Sequence, residues 1–141
     1  MFEHLVEFVA EEPQHQYNLI IGTDSLLNDR TCFVTAIVIH RVGRGGRYFY
    51  RKQFNRKMES LKQRILYEAS LSLEVASRIS GELARNGHSR LPIEIHLDVG
   101  DRGETKNIIR EVVGMVTGSG YAARTKPDAY GATKVADKHS K

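Results

Sequence analysis

Only one of the 141 residues is a cysteine, Cys32, and it lies inside the apolar run CFVTAIVI, so no disulfide can close within the chain. A disulfide-stapled secreted scaffold is therefore excluded, and a reducing, cytoplasmic setting is the expectation. Long hydrophobic runs are missing as well: none approaches the roughly 18 residues that a membrane span needs. The opening MFEHLVEF has acids but none of the basic residues of a secretory leader. There is no internal repeat, low-complexity tract or linker. These absences predict one domain spanning residues 1–141, with residues 1–13 as an N-terminal helical extension. A chain of this length buries about two-thirds of its unfolded surface.

Each sign of charge is also scarce somewhere. Residues 1–29 hold six acids and no lysine or arginine. From His40 to Arg64 there are nine bases against one acid, Glu59, with Tyr48, Phe49, Tyr50 and Phe54 interleaved. A basic stripe bearing aromatics suits a phosphate backbone, because each neutralised phosphate releases counterions. A solvated hairpin face is the alternative reading of the charge alone. Arg44, Arg47, Arg51 and Lys52 are the candidates within this stripe for contacting nucleic acid, joined further along by Lys126.

Hydrophobic spacing divides the chain into elements. Phe2, Leu5, Val6 and Val9 recur at helical steps, and Pro13 ends that helix. Three strands follow, at about residues 17–25, 31–41 and 47–54, separated by Asn28-Asp29 and by the glycine-rich VGRGG. Loops this short make the three antiparallel neighbours. From Met58 to about Arg85 the period changes to that of one long helix, stopped by Asn86-Gly87. A fourth strand at residues 91–99 alternates Ile93, Ile95 and Leu97 against Glu94, His96 and Asp98. A helix at about 104–117, a short strand at 121–125 and a last helix opened by Lys126-Pro127-Asp128 complete the order α-βββ-α-β-α-β-α. Three meander strands followed by two reached through helical crossovers predict an α/β fold with a mixed five-stranded sheet flanked by helices.

Four carboxylates stand out by position. Asp24 ends the most apolar strand, in IIGTDS, and Asp98 ends the fourth. A right-handed crossover returns the fourth strand beside the first, which brings the two aspartates to the place where connections change direction. Thr23 and Ser25 point to the opposite face from Asp24. Glu68 is in phase with Leu61, Ile65, Ser72 and Val75 on the buried stripe of the long helix, where an acid is costly unless paired or metal-bound. A salt bridge to Arg64, four residues earlier, is its structural alternative. Asp128 begins the final helix, a position that aspartate also favours as a cap. Asp137 is nine residues further, about half a turn out of phase, so only one of the two can easily join a compact site. Asp101, three residues before Glu104, reads as a capping box. His96 reads as a half-exposed strand residue rather than a proton shuttle. Converging carboxylates repel unless a cation neutralises them, and an oxygen-only donor set favours Mg²⁺ or Mn²⁺.

The motifs IIGTDS, IHLDVG, GETKNIIREVVGMV and KPDAYGATKVADKHSK, in this order and together with Glu68 on the long helix, resemble the ribonuclease H-like superfamily. Within it the likeness is to a bacterial family typified by YkuK, over nearly the whole chain from about residue 17. The resemblance implies strand order 3-2-1-4-5 and a two-metal acidic site. It implies that Asp24 bridges both metals, that Glu68 and Asp98 hold one, and that Asp128, rather than Asp137, holds the other. It also implies action on the phosphodiester bonds of RNA or DNA, and a homodimer by analogy with resolvase-like members. Two features depart from ribonuclease H proper: no histidine stands between Gly118 and Pro127, and no basic helical handle is present. The hairpin around VGRGGRYFYRK is the nearest substitute for that handle. The competing expectation is a nucleic-acid-binding module that keeps the fold without efficient catalysis. An actin-like ATPase would need two such domains and a cleft between them.

Overall fold

The structure, a computed structural model, describes residues 2–87, 91–99 and 103–125. The elements are α1 (Phe2–Glu11), β1 (Tyr17–Leu27), β2 (Thr31–Arg41), β3 (Gly46–Asn55), α2 (Leu61–Arg85), β4 (Ile93–His96), a 3-10 turn (Gly103–Ile108) running into α3 (Ile109–Gly118), and β5 (Ala122–Arg124). The five strands form one sheet in the order β3-β2-β1-β4-β5. β1 pairs antiparallel with β2 and β2 with β3, while β4 lies parallel to β1 and β5 parallel to β4. The mixed α/β sheet expected from the sequence is therefore present. The final helix expected after Pro127 lies outside the described residues, as do Lys126, Asp128 and Asp137. Among the described residues no helix is long and apolar enough to cross a membrane.

The β2–β3 hairpin closes through two glycines for different reasons. Gly45 takes a φ of 82°, open to glycine at no steric cost, and its carbonyl accepts from the Arg41 amide at 2.8 Å. At Gly46 a Cβ would stand 2.4 Å from the carbonyl oxygen of Ile39, so the ladder can start there only without a side chain.

Met58 does not belong to α2. Its amide donates to the Thr31 hydroxyl at 2.8 Å, and its side chain packs with Phe33 and Leu71. The helix begins after Ser60, whose hydroxyl accepts from the Gln63 amide at 3.2 Å as an N-cap. Asn86 caps the other end.

The three helices among the described residues cover one face of the sheet. Leu5 and Val9 from α1, Ile65, Val75 and Ile79 from α2, and Val112 and Val116 from α3 meet Leu19, Ile21, Ile37, Ile39 and Ile95 in one buried cluster. Full burial of each such side chain is worth about 1.5–3 kcal/mol. The opposite face has a smaller cluster, Val34 and Ala36 with Ile20, Cys32 and Val38 around them. α1 is tied down by polar contacts as well. The Tyr17 hydroxyl donates to the Glu12 carbonyl at 2.7 Å, and Arg41 donates to the Phe8 carbonyl at 2.8 Å while its guanidinium stacks 4.0 Å from the Phe8 ring.

Candidate active site

β1 lies at the centre of the sheet, hydrogen-bonded on both sides, which makes its end a rigid platform. Its alternation sends Leu19, Ile21, Thr23 and Ser25 toward the helices and Asp24 to the other face. The parallel ladder aligns Gly22 with His96. Carried two residues further, that register brings Asp98 level with Asp24, although β4 itself ends at His96. The chain beyond β4 is held by the Leu97 amide, which donates to the Arg124 carbonyl at 2.8 Å, and by the burial of Leu97 and Val99.

α2 is fastened to β1 by hydroxyl groups. Ser72 and Thr23 share a hydrogen bond of 2.8 Å, and Thr23 and Thr35 share one of 3.0 Å. One helical turn before Ser72, Glu68 meets Ser25, whose hydroxyl donates to Oε2 at 2.5 Å. The spacing matches because four helical residues rise about 6 Å and two strand residues about 6.8 Å. A repeat of four on the helix thus stays in step with a repeat of two on the strand. This is why Glu68, one turn before Ser72, arrives at the same end of β1 as Asp24.

Glu68 is 8% exposed. Its carboxyl is pushed up to about 8, first by burial, with the charges of Asp24 and Asp98 adding in the same direction. The Ser25 hydroxyl and, more weakly, Arg64 act the other way. Arg64 forms no ion pair with Glu68 among the described residues, so the salt bridge that offers a structural explanation of this acid is not made. Asp24 of β1 and Asp98, just beyond β4, therefore act on Glu68 of α2. Among the described residues, no group of three or more histidine, cysteine, aspartate or glutamate side chains is arranged to hold a metal ion.

The basic stripe behaves differently from a single patch. Strand alternation sends Arg47 and Arg51 toward the helices, where Arg47 lies 5.6 Å over the Phe8 ring and Arg51 pairs with Glu74 at 4.0 Å. Arg44, on the hairpin loop, pairs with Glu12 at 3.6 Å. Lys52 is exposed on the other face. His96 is also unlike its sequence expectation: it is buried, because β4 is an interior strand with β1 and β5 on either side.

Ser25, Thr23 and Ser72 are the site residues that the sequence does not single out. The available signal was Ser72 on the same helical stripe as Glu68, facing two hydroxyl residues that flank Asp24.

The ribonuclease H-like family model matches residues 1–141 of the chain. The YkuK protein of Bacillus subtilis (strain 168), described as uncharacterized, is 36% identical over 153 aligned residues, covering all of this chain and 89% of its own. No solved structure matches the chain.

Proposed function

The chain belongs to the ribonuclease H-like family, and on that premise we propose that it hydrolyses phosphodiester bonds of nucleic acid with Mg²⁺ or Mn²⁺. Asp24, Glu68 and Asp98 would hold the metal, with Asp128 as the further ligand that the sequence resemblance implies. The observation that carries this reading is Glu68, buried, with its carboxyl pushed up to about 8 by that burial and by the charges of Asp24 and Asp98. Such an arrangement costs folding energy unless a cation offsets it. The donor set fits the proposed ions, since every side chain in it offers oxygen. When bound, ions of this kind activate water and steady the leaving oxygen of a phosphodiester.

The chain's own residues have definite tasks in this scheme. Asp24 contributes a carboxylate on the most rigid strand. Glu68 must give up its proton to act as a ligand, and the Ser25 hydroxyl favours its ionised form. Asp98 contributes its charge from the segment held by Leu97. The single cysteine, Cys32, is the basis for placing this activity in the cytoplasm.

Isothermal titration of Mn²⁺ and cleavage of a panel of RNA, DNA and hybrid substrates test the proposal together. Wild type should bind Mn²⁺ and cut at least one substrate, and Asp24→Asn should do neither. Equal binding and cleavage by that variant would overturn the assignment.

A second reading, a binding module without catalysis, draws on the burial of Glu68, which favours its neutral form, and on the lack, among the described residues, of a group of three or more acids, histidines or cysteines arranged to hold a metal ion. It requires nucleic-acid binding that weakens steeply with salt in a protein that takes up no Mn²⁺.

A further inference from the structure

The contacts that seat α2 on β1 run in opposite chain directions: Thr23 meets Ser72, and Ser25 meets Glu68. One more turn back along the helix is Arg64, and two residues on along the strand is Leu27, where β1 ends. The matched rises of helix and strand therefore seat Arg64 at the end of β1, one turn beyond Glu68. Helical side chains lean toward the N-terminus, which is the direction in which β1 ends.

Arg64 is half-buried, and its Nε is shielded from water with no hydrogen-bond partner. Other partly shielded arginines of this chain find acids: Arg41 pairs with Glu12, and Arg51 with Glu74. Arg64 makes no such pair among the described residues, although its charge reaches Glu68 and favours the ionised carboxyl. Nor does the helix explain it. A cation near the positive end of α2 gains nothing from the helix dipole. An arginine four residues before a glutamate is also the weaker orientation for an ion pair along a helix. A shielded donor without a partner is costly, so its retention beside the acids calls for a ligand.

We propose that Arg64 is a substrate-contacting residue, its guanidinium gripping a non-bridging oxygen of the nucleic-acid phosphate that comes to the Asp24 end of β1. The proposal rests on the hydrolase reading above and adds to it a contact for the substrate. A guanidinium suits this task because its planar fork matches two phosphate oxygens and it keeps its charge at every working pH. It also offsets the negative charge of the acids, which otherwise repel a phosphate.

The test uses the whole chain and the variants R64Q, R64K and K62Q. Binding is read by fluorescence anisotropy with labelled oligothymidylate and oligouridylate in Ca²⁺, another ion that takes oxygen ligands. Isothermal titration gives the Mn²⁺ affinity, and cleavage in Mn²⁺ is followed separately. R64Q should bind the better oligonucleotide about tenfold more weakly, the scale of a lost charged hydrogen bond. R64K keeps the charge without the fork and should bind about threefold more weakly or worse. K62Q removes the same charge from a side chain paired with Glu111 at 3.5 Å, and should stay within about twofold of wild type. Mn²⁺ affinity and melting midpoints should hold in all three. If glutamine at this position lowers the midpoint, the comparison of R64K with K62Q decides.

Wild-type binding by R64Q overturns the proposal, and so does an equal loss in R64Q and K62Q, since net charge alone then acts. Loss of Mn²⁺ binding by R64Q overturns it too, because Arg64 then serves the acids and not the substrate. Cleavage by R64Q at the wild-type KM would remove this contact and leave the hydrolase proposal intact. Arg64-dependent binding in a protein that never cleaves with Mn²⁺ would sink the hydrolase proposal and leave the contact standing.

Discussion

The Ser25 hydroxyl donates to Glu68 at 2.5 Å, joining the end of the central strand to a buried acid 43 residues later in the chain. The bond favours the ionised form of a carboxyl that burial and two like charges oppose. The carboxyl therefore sits between a neutral form that burial favours and an ionised form that the Ser25 hydroxyl favours. The predictions below follow from that balance.

Folding stability should depend on the protonation of Glu68. Its carboxyl is raised from 4.5 to about 8 in the folded protein, so the native state holds a proton that the unfolded chain has released. That contribution is fully present below 4.5 and is lost as pH rises through about 8, on the order of a few kcal/mol. Urea unfolding across this window, without metal, should show the loss in wild type and a flatter profile in Glu68→Gln. Parallel profiles would mean that another group governs the pH dependence.

Ser25→Ala removes the donor and leaves the buried carboxyl without it. A loss of about 1–3 kcal/mol is expected when the acid is ionised, and less when it is protonated. The variant should also push the Glu68 transition to still higher pH. Denaturant midpoints at low and high pH measure both effects.

Asp24→Asn should act in opposite directions with and without metal. In metal-free buffer it removes one like charge that acts on Glu68, so stability at neutral pH should hold or rise by up to about 1 kcal/mol. In Mn²⁺ it should lose the stabilisation that wild type gains by binding, which a melt with increasing Mn²⁺ reads directly. A variant that is destabilised without metal but still gains stability from Mn²⁺ would contradict the proposed role.

Arg41→Ala tests the attachment of α1. The guanidinium donates to the Phe8 carbonyl at 2.8 Å and the Tyr17 hydroxyl at 3.1 Å, and pairs with Glu12 at 2.5 Å. Its side chain is only 11% exposed, so removal should lower the denaturant midpoint measurably. Hydrogen exchange should quicken in α1 first, with β1 and β4 protected until global unfolding. Uniform acceleration across the sheet would show that α1 is integral to the core.

Period was enough to read the order of the described elements and the sheet class, because the long strands and helices keep their apolar residues at the repeat of their own geometry. β2 begins and ends at the expected residues, Thr31 and Arg41. Boundaries shifted where a tertiary contact intervened: Met58, apolar and next to a helix, is taken by Phe33 and Leu71 instead. Asp24, Glu68 and Asp98 were legible because an acid at the end of an apolar strand, or on a buried helical stripe, conflicts with burial energetics. The basic segment was legible as charge but not as a surface, since period-two alternation divides Arg47 and Arg51 from Lys52.

Local sequence therefore determined which residues are helix or strand, which acids are anomalous and where positive charge accumulates, all of which depend on neighbours along the chain. Only the tertiary structure decided that Ser25 is the partner of Glu68, that Arg64 is not, and that His96 is buried. Each depends on how α2 is seated on β1 and on the register of three strands, and those are set by the packing of residues far apart in sequence.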